Sequence, residues 1–163
     1  MQRRDFLGLA LASGAGLLLA GCGFHLRGVG GEVLALDSLA LEGADTDFAK
    51  QLASRLENLG TRIDADAPLR LNLGGEDIIT RQVGVLDTGS QDQELVLRVP
   101  YSIQRASDGA YVADRQAVEV IQEFSITDDN LLSQDELRND ALEDARREAV
   151  RQMIDRLRAI QEI

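Results

Sequence analysis

Cys22 is the one residue whose type and setting promise covalent chemistry. It follows Leu17-Leu18-Leu19-Ala20-Gly21, precedes Gly23, and is the only cysteine among 163 residues. A basic head at Arg3-Arg4, an apolar body from Phe6 to Ala20 and small residues before the cysteine stand in the order of a processed export signal. The body is shorter than the ~20 apolar residues that a membrane span needs. Leu19-Ala20-Gly21-Cys22 therefore reads as a lipobox, in which the thiol takes an S-linked diacylglycerol. Cleavage before Cys22 discards residues 1–21 and frees its amine for N-acylation. The bland alternative, a thiol buried as a small core hydrophobe, leaves that order unexplained.

The head carries a second signal. Arg3-Arg4-Asp5-Phe6-Leu7 resembles the twin-arginine export motif, while the general secretory route fits the same residues. Both routes cross the inner membrane of a Gram-negative cell. Residues 22–32 then form a lipidated, glycine-rich tether, and 33–163 are long enough for one domain with an ordinary core. No second long apolar run follows, so lipid alone would hold the protein to a membrane, at about 0.8 kcal/mol per buried methylene.

The remaining residue types exclude more chemistry than they suggest. The net charge of −11 becomes −12 once Arg3, Arg4 and Asp5 leave, and Lys50 is the single lysine. Such a chain is a poor reader of a phosphate backbone, where Lys and Arg supply the affinity. With Cys22 acylated, nothing is left for disulfides or soft metals. His25 is the only histidine and lies three residues from the anchor, which removes most histidine catalysis and zinc sites. No nucleophile elbow, Walker loop or dinucleotide fingerprint occurs. Asp128-Asp129-Asn130 lacks the glycine and distal glutamate of a calcium loop and reads as turn chemistry. No catalytic residue, metal or cofactor is expected beyond the covalent lipid.

Few elements are needed to position this domain. Val33–Leu36 and Leu39–Leu41 form a near-continuous apolar strand. Asp45, Thr46 or Asp47 offers an N-cap to a helix carrying Phe48, Leu52, Leu56 and Leu59, with Gly60 as its stop. Leu69–Leu73 alternates as a strand, and Gly74-Gly75 reads as a bulge or bend, because Ile78–Val83 continues with β-favouring residues. After the turn signal at Asp87–Ser90, Glu94–Arg105 places Leu95, Leu97, Val99, Tyr101 and Ile103 on one face, with Pro100 arguing for an edge or bulge. Ser107-Asp108-Gly109 turns the chain into a strand from Tyr111 to Phe124. The closing helix spans Gln134 to Ile160. Ser133–Glu136 is its capping box, Leu132 and Leu137 its staple, and Leu137, Ala141, Ala145, Ala149, Met153, Leu157 and Ile160 its stripe. The order is β-α-β-β-β-α.

Cys22-Gly23-Phe24-His25-Leu26-Arg27-Gly28 resembles the mature start of the LptE family, the lipopolysaccharide-assembly lipoproteins also called rare lipoprotein B. Leu34–Ser38, Gln51–Gly60, Leu69–Leu71 and the closing helix fall in that family's order. The resemblance implies an α/β (α+β) sandwich of two helices on a four-stranded mixed sheet. It also implies an outer-membrane lipoprotein that plugs the LptD β-barrel in a one-to-one complex and binds lipopolysaccharide without covalent chemistry. Gly23 after the cysteine agrees with outer-membrane delivery. One departure concerns the glycolipid site. Family members better known for binding carry bases at the turn between the second and third strands and at the start of the last helix. Leu86–Ser90 and Ser133-Gln134-Asp135 have none. No contact residue follows, although Arg81 and Arg98 are candidates by position. A stand-alone periplasm-facing lipoprotein, binding or scaffolding another envelope component, is the other reading the residues allow.

Overall fold

The structure is a computed structural model that describes residues 36–87, 90–127 and 131–161. Six strands and two helices follow in the order β1 (Ser38–Gly43), α1 (Asp47–Asn58), β2 (Arg62–Ile63), β3 (Leu69–Leu73), β4 (Asp77–Asp87), β5 (Ser90–Arg105), β6 (Tyr111–Thr127) and α2 (Leu131–Gln161). The strands form one mixed sheet. β1 pairs in parallel with β2 and β3, and β5 pairs antiparallel with β3, β4 and β6.

Among the described residues the two-helix α+β class holds, but the sheet has six strands where four were expected. Two local features account for the difference. The short β2 sits beside Ser38 and Leu39, and the stretch from Leu69 to Val83 is divided at Gly74–Glu76. β3 lies against Tyr101–Arg105 of β5 and β4 against its residues 90–98, while β6 follows the other side throughout. β3 and β4 therefore run end to end along one side of β5. The glycine pair bends this line and also ends one strand before starting the next.

Pro100 lies in the central strand, opposite that break, and not on an edge. Its carbonyl accepts from the Gly74 amide at 2.8 Å. In a strand the N–H and C=O of one residue point the same way, so the donor that proline lacks faces the gap. Gly74 permits the approach: a β-carbon there would stand 2.6 Å from the Pro100 ring.

α1 forms as its spacing predicts. Thr46 is the N-cap, its hydroxyl accepting from the Ala49 amide at 3.2 Å, and Phe48, Leu52 and Leu56 are fully buried. Burying such side chains contributes about 1.5–3 kcal/mol each before entropy is counted. Leu95, Leu97, Val99, Tyr101 and Ile103 of β5 are buried against the same core, with Val118 and Val120 of β6 beside them. At the hairpin turn the Asp108 carboxylate accepts from the Ala110 amide at 3.1 Å, which together with Arg105 holds its pKa below the ordinary carboxylate range.

α2 departs from its expected start. It begins at Leu131, so Ser133 lies inside the helix and the Ser133–Glu136 box does not cap it. At 31 residues it is about 46 Å long. Ala141, Ala145, Ala149, Met153 and Leu157 are buried as expected; Leu142, Val150 and Ile154 widen that face, and Leu137 is exposed.

Candidate functional site

Both helices join the core on the face of Leu95, Leu97 and Val99. The alternate residues of β4, β5 and β6 point away from it, and the register arranges them in cross-strand rows. Ile79, Val96 and Ile121 form the middle row, in which Ile79 is 60% and Ile121 50% exposed. Arg81, Glu94 and Glu123 form the row on one side, and Asp77, Arg98 and Glu119 the row on the other. Cross-strand neighbours of this kind interact directly. The result is a short apolar bar between two charged rows on a sheet face that no described residue covers.

The two candidate arginines share this face on opposite sides of the apolar row, and each already has a carboxylate. Arg81 donates from Nε to Glu94 at 2.7 Å, and Arg98 reaches Asp77 at 3.5 Å. Exposed pairs contribute about 0–1 kcal/mol, so they orient the guanidinium groups more than they stabilise the fold. Toward β3 the same face continues with Asn72, which donates to Ser102 and Gln104, and with the Arg70–Glu42 pair at 3.1 Å.

Behind the face, a part-buried cluster fixes the strand break to both helices. Glu76 accepts from the Phe48 amide in the first turn of α1 at 2.8 Å and from Arg146 of α2 at 2.9 Å. Arg146 also donates to Glu143 at 2.6 Å and lies 3.6 Å from Asp47. Burial lowers the Arg146 pKa, but hydrogen bonds and charge from Glu76 and Glu143 outweigh it and leave the pKa raised. Arg156, further along α2, donates to the Ala117 carbonyl at 2.6 Å and stacks over the Tyr101 ring. Sequence reasoning named none of these pairings: apart from Arg146–Glu143, within one helical turn, they join residues from 28 positions apart, Phe48 and Glu76, to the 99 between Asp47 and Arg146.

Cys22, His25 and Asp128-Asp129-Asn130 lie outside the described residues. Ile79 and Ile121 were missed as surface residues, although the strict alternation of β5 beside them was visible. Among the described residues no His, Cys, Asp and Glu group is placed to hold a metal ion, and no helix is long and apolar enough to cross a membrane.

The strands and helices define a two-layer α+β domain with one sheet face that no described residue covers. Residues 33–157 match the LptE lipopolysaccharide-assembly family model, and the chain belongs to that family. Similar solved structures include lipoprotein B from Nitrosomonas europaea, 20% identical with a TM-score of 0.66, covering 86% of this chain and 93% of that one. A minor lipoprotein from Acinetobacter baumannii is 17% identical with a TM-score of 0.56, over 78% and 95% of the two chains. Rare lipoprotein B from Shewanella oneidensis is 17% identical with a TM-score of 0.51, over 74% and 89%. At these identities the structures establish the shared fold. No curated protein matches the chain.

Proposed function

We propose that this protein is the outer-membrane lipoprotein subunit of a lipopolysaccharide translocon, seated in an LptD-type β-barrel and binding lipopolysaccharide as it is placed in the outer leaflet. The family match over residues 33–157 carries this reading. In it, residues 1–21 are the cleaved signal, Cys22 holds the acyl chains, 22–32 are the tether, and 33–163 form the domain. The protein works by plugging and binding, with no catalytic residue, metal or cofactor besides its lipid.

Mild detergent extraction followed by affinity purification tests the partnership. A stable one-to-one complex with a large outer-membrane barrel is expected, and recovery of the lipoprotein alone overturns the reading. Cys22→Ala is expected to abolish incorporation of radiolabelled palmitate and to leave the precursor uncleaved. Continued labelling removes Cys22 from its role.

Arg81 and Arg98 are the proposed contacts for a glycolipid phosphate. Because Glu94 and Asp77 already neutralise them, an Arg81→Ala, Arg98→Ala double variant is expected to weaken lipopolysaccharide binding only about threefold, the scale of exposed charge pairs. Unchanged affinity by surface plasmon resonance excludes both.

A further inference from the structure

Among the described residues β6 has a neighbour on one side only, and the hydrogen-bond parity shows which of its residues face the open side. The Pro100 carbonyl points at Gly74, so in the Pro100–Ala117 pair the backbone groups of both residues face away from each other. The Ala117 carbonyl accordingly meets Arg156, from outside the sheet, at 2.6 Å. Pairing continues without a shift from Pro100–Ala117 to Ser90–Thr127. Glu119, Ile121, Glu123 and Ser125 therefore all direct their N–H and C=O outward, and no described residue accepts from or donates to those groups.

An open edge of this length is a liability that proteins usually blunt. Here the blunting is confined to one end. Arg156 closes the edge at Ala117, and the register shifts beyond Tyr101, where Arg115 adopts a φ of +48°, as at a bulge. No described residue hydrogen-bonds the Glu119–Ser125 main chain in the same way. Charge there is also unbalanced. Glu94 and Asp77, on the same two rows, each have an arginine, whereas the Glu119 and Glu123 carboxylates have no ion-pair partner among the described residues. Ile121, between them, is 50% exposed.

We infer that the Glu119–Ser125 edge of β6 accepts, as an added strand, an extended segment of a partner protein in which two basic side chains flank an apolar one at every second position. The main chain of that segment completes the open ladder, its bases face Glu119 and Glu123, and its apolar residue extends the Ile79–Val96–Ile121 row. Strand addition of this kind draws affinity from backbone hydrogen bonds and selectivity from alternate side chains. A second copy of this chain is disfavoured, since antiparallel pairing about Ile121 sets Glu119 of each copy against Glu123 of the other, and like charges directly opposite destabilise. The inference stands apart from the barrel reading, because it concerns an edge and a peptide chemistry and holds whether or not the partner is a barrel.

The test uses the protein extracted in mild detergent and a fluorescein-labelled hexapeptide with lysine at positions one and five, valine at three and threonine elsewhere. Binding measured by anisotropy, with slowed deuterium uptake across 118–126, is the expected result. The same peptide N-methylated at the amides that would face β6 keeps its charge and is expected to bind at least tenfold more weakly. Ile121→Pro removes an outward amide without touching the ladder, and the same loss is expected with the circular dichroism spectrum retained. Glu119→Lys with Glu123→Lys is expected to lose the lysine peptide and gain a glutamate counterpart. Absence of binding, equal binding of the N-methylated peptide, protection elsewhere in the chain, or an edge already protected by residues 22–32 until they are deleted would each overturn the inference.

Discussion

Glu76→Ala is expected to destabilise the domain by about 3 kcal/mol, toward the lower end of what breaking a buried ion pair costs. Glu76 has only 7% of its side chain exposed and Arg146 only 12%, so the guanidinium that loses its partner has little water to turn to. The same substitution frees the Phe48 amide, one of the unpaired donors at the start of α1, and losing such a cap costs about 1 kcal/mol. Glu143 and Asp47 remain within reach of Arg146, which is why the total is not larger. Glu76→Gln keeps an acceptor for Phe48 and is expected to cost roughly half as much. Thermal melts report the loss as about 3 °C per kcal/mol in a domain of this size. A shift below about 3 °C for Glu76→Ala would mean that the cluster behaves as an ordinary surface pair.

That cluster also marks where sequence reading stops. α1 was legible because every determinant is local: Thr46 caps, Phe48, Leu52 and Leu56 recur at helical spacing, and Gly60 takes a φ of +92°. β5 was legible because its alternation is strict over five buried residues. The division between β3 and β4 was not, since β-favouring residues flank Gly74-Gly75 on both sides, and only the Pro100 approach and the Glu76 anchor turn a bend into a break.

The start of α2 misled for two separate reasons. A capping box is a local signal, and at Ser133 it is overridden by a helix that already begins at Leu131. The expected stripe ran back from Ala149 in steps of four, and each step overshoots a full turn by about 40°. Three steps rotate Leu137 roughly 120° from Ala149, which takes it off the buried face and accounts for its exposure. Leu142, Val150 and Ile154 occupy the face that the rotation vacates. The candidate interaction face was half legible: Arg81 and Arg98 were placed by position, but their carboxylates and the Ile79–Ile121 row depend on register between strands, which alternation alone does not fix.

Gly43→Ala is expected to cost about 4 kcal/mol, by combining backbone strain with overpacking against main chain. Gly43 ends β1 with a φ of +114°, a conformation that side chains resist. A β-carbon there would stand 2.0 Å from the Leu73 carbonyl oxygen, and a backbone atom inside a sheet cannot swing aside as a side chain can. The same carbonyl accepts from the Ala44 amide at 3.1 Å, so relieving the clash opens the parallel β1–β3 pairing that carries the chain into α1. Gly109→Ala is the matched comparison. Gly109 has a φ of +67° with nothing within 4 Å of the added carbon, and strain alone should cost it about 1 kcal/mol. Urea midpoints of the two variants separate the effects. Similar losses for both would show that φ alone governs Gly43, and a larger loss at Gly43 would show that the Leu73 carbonyl sets how closely β1 can lie.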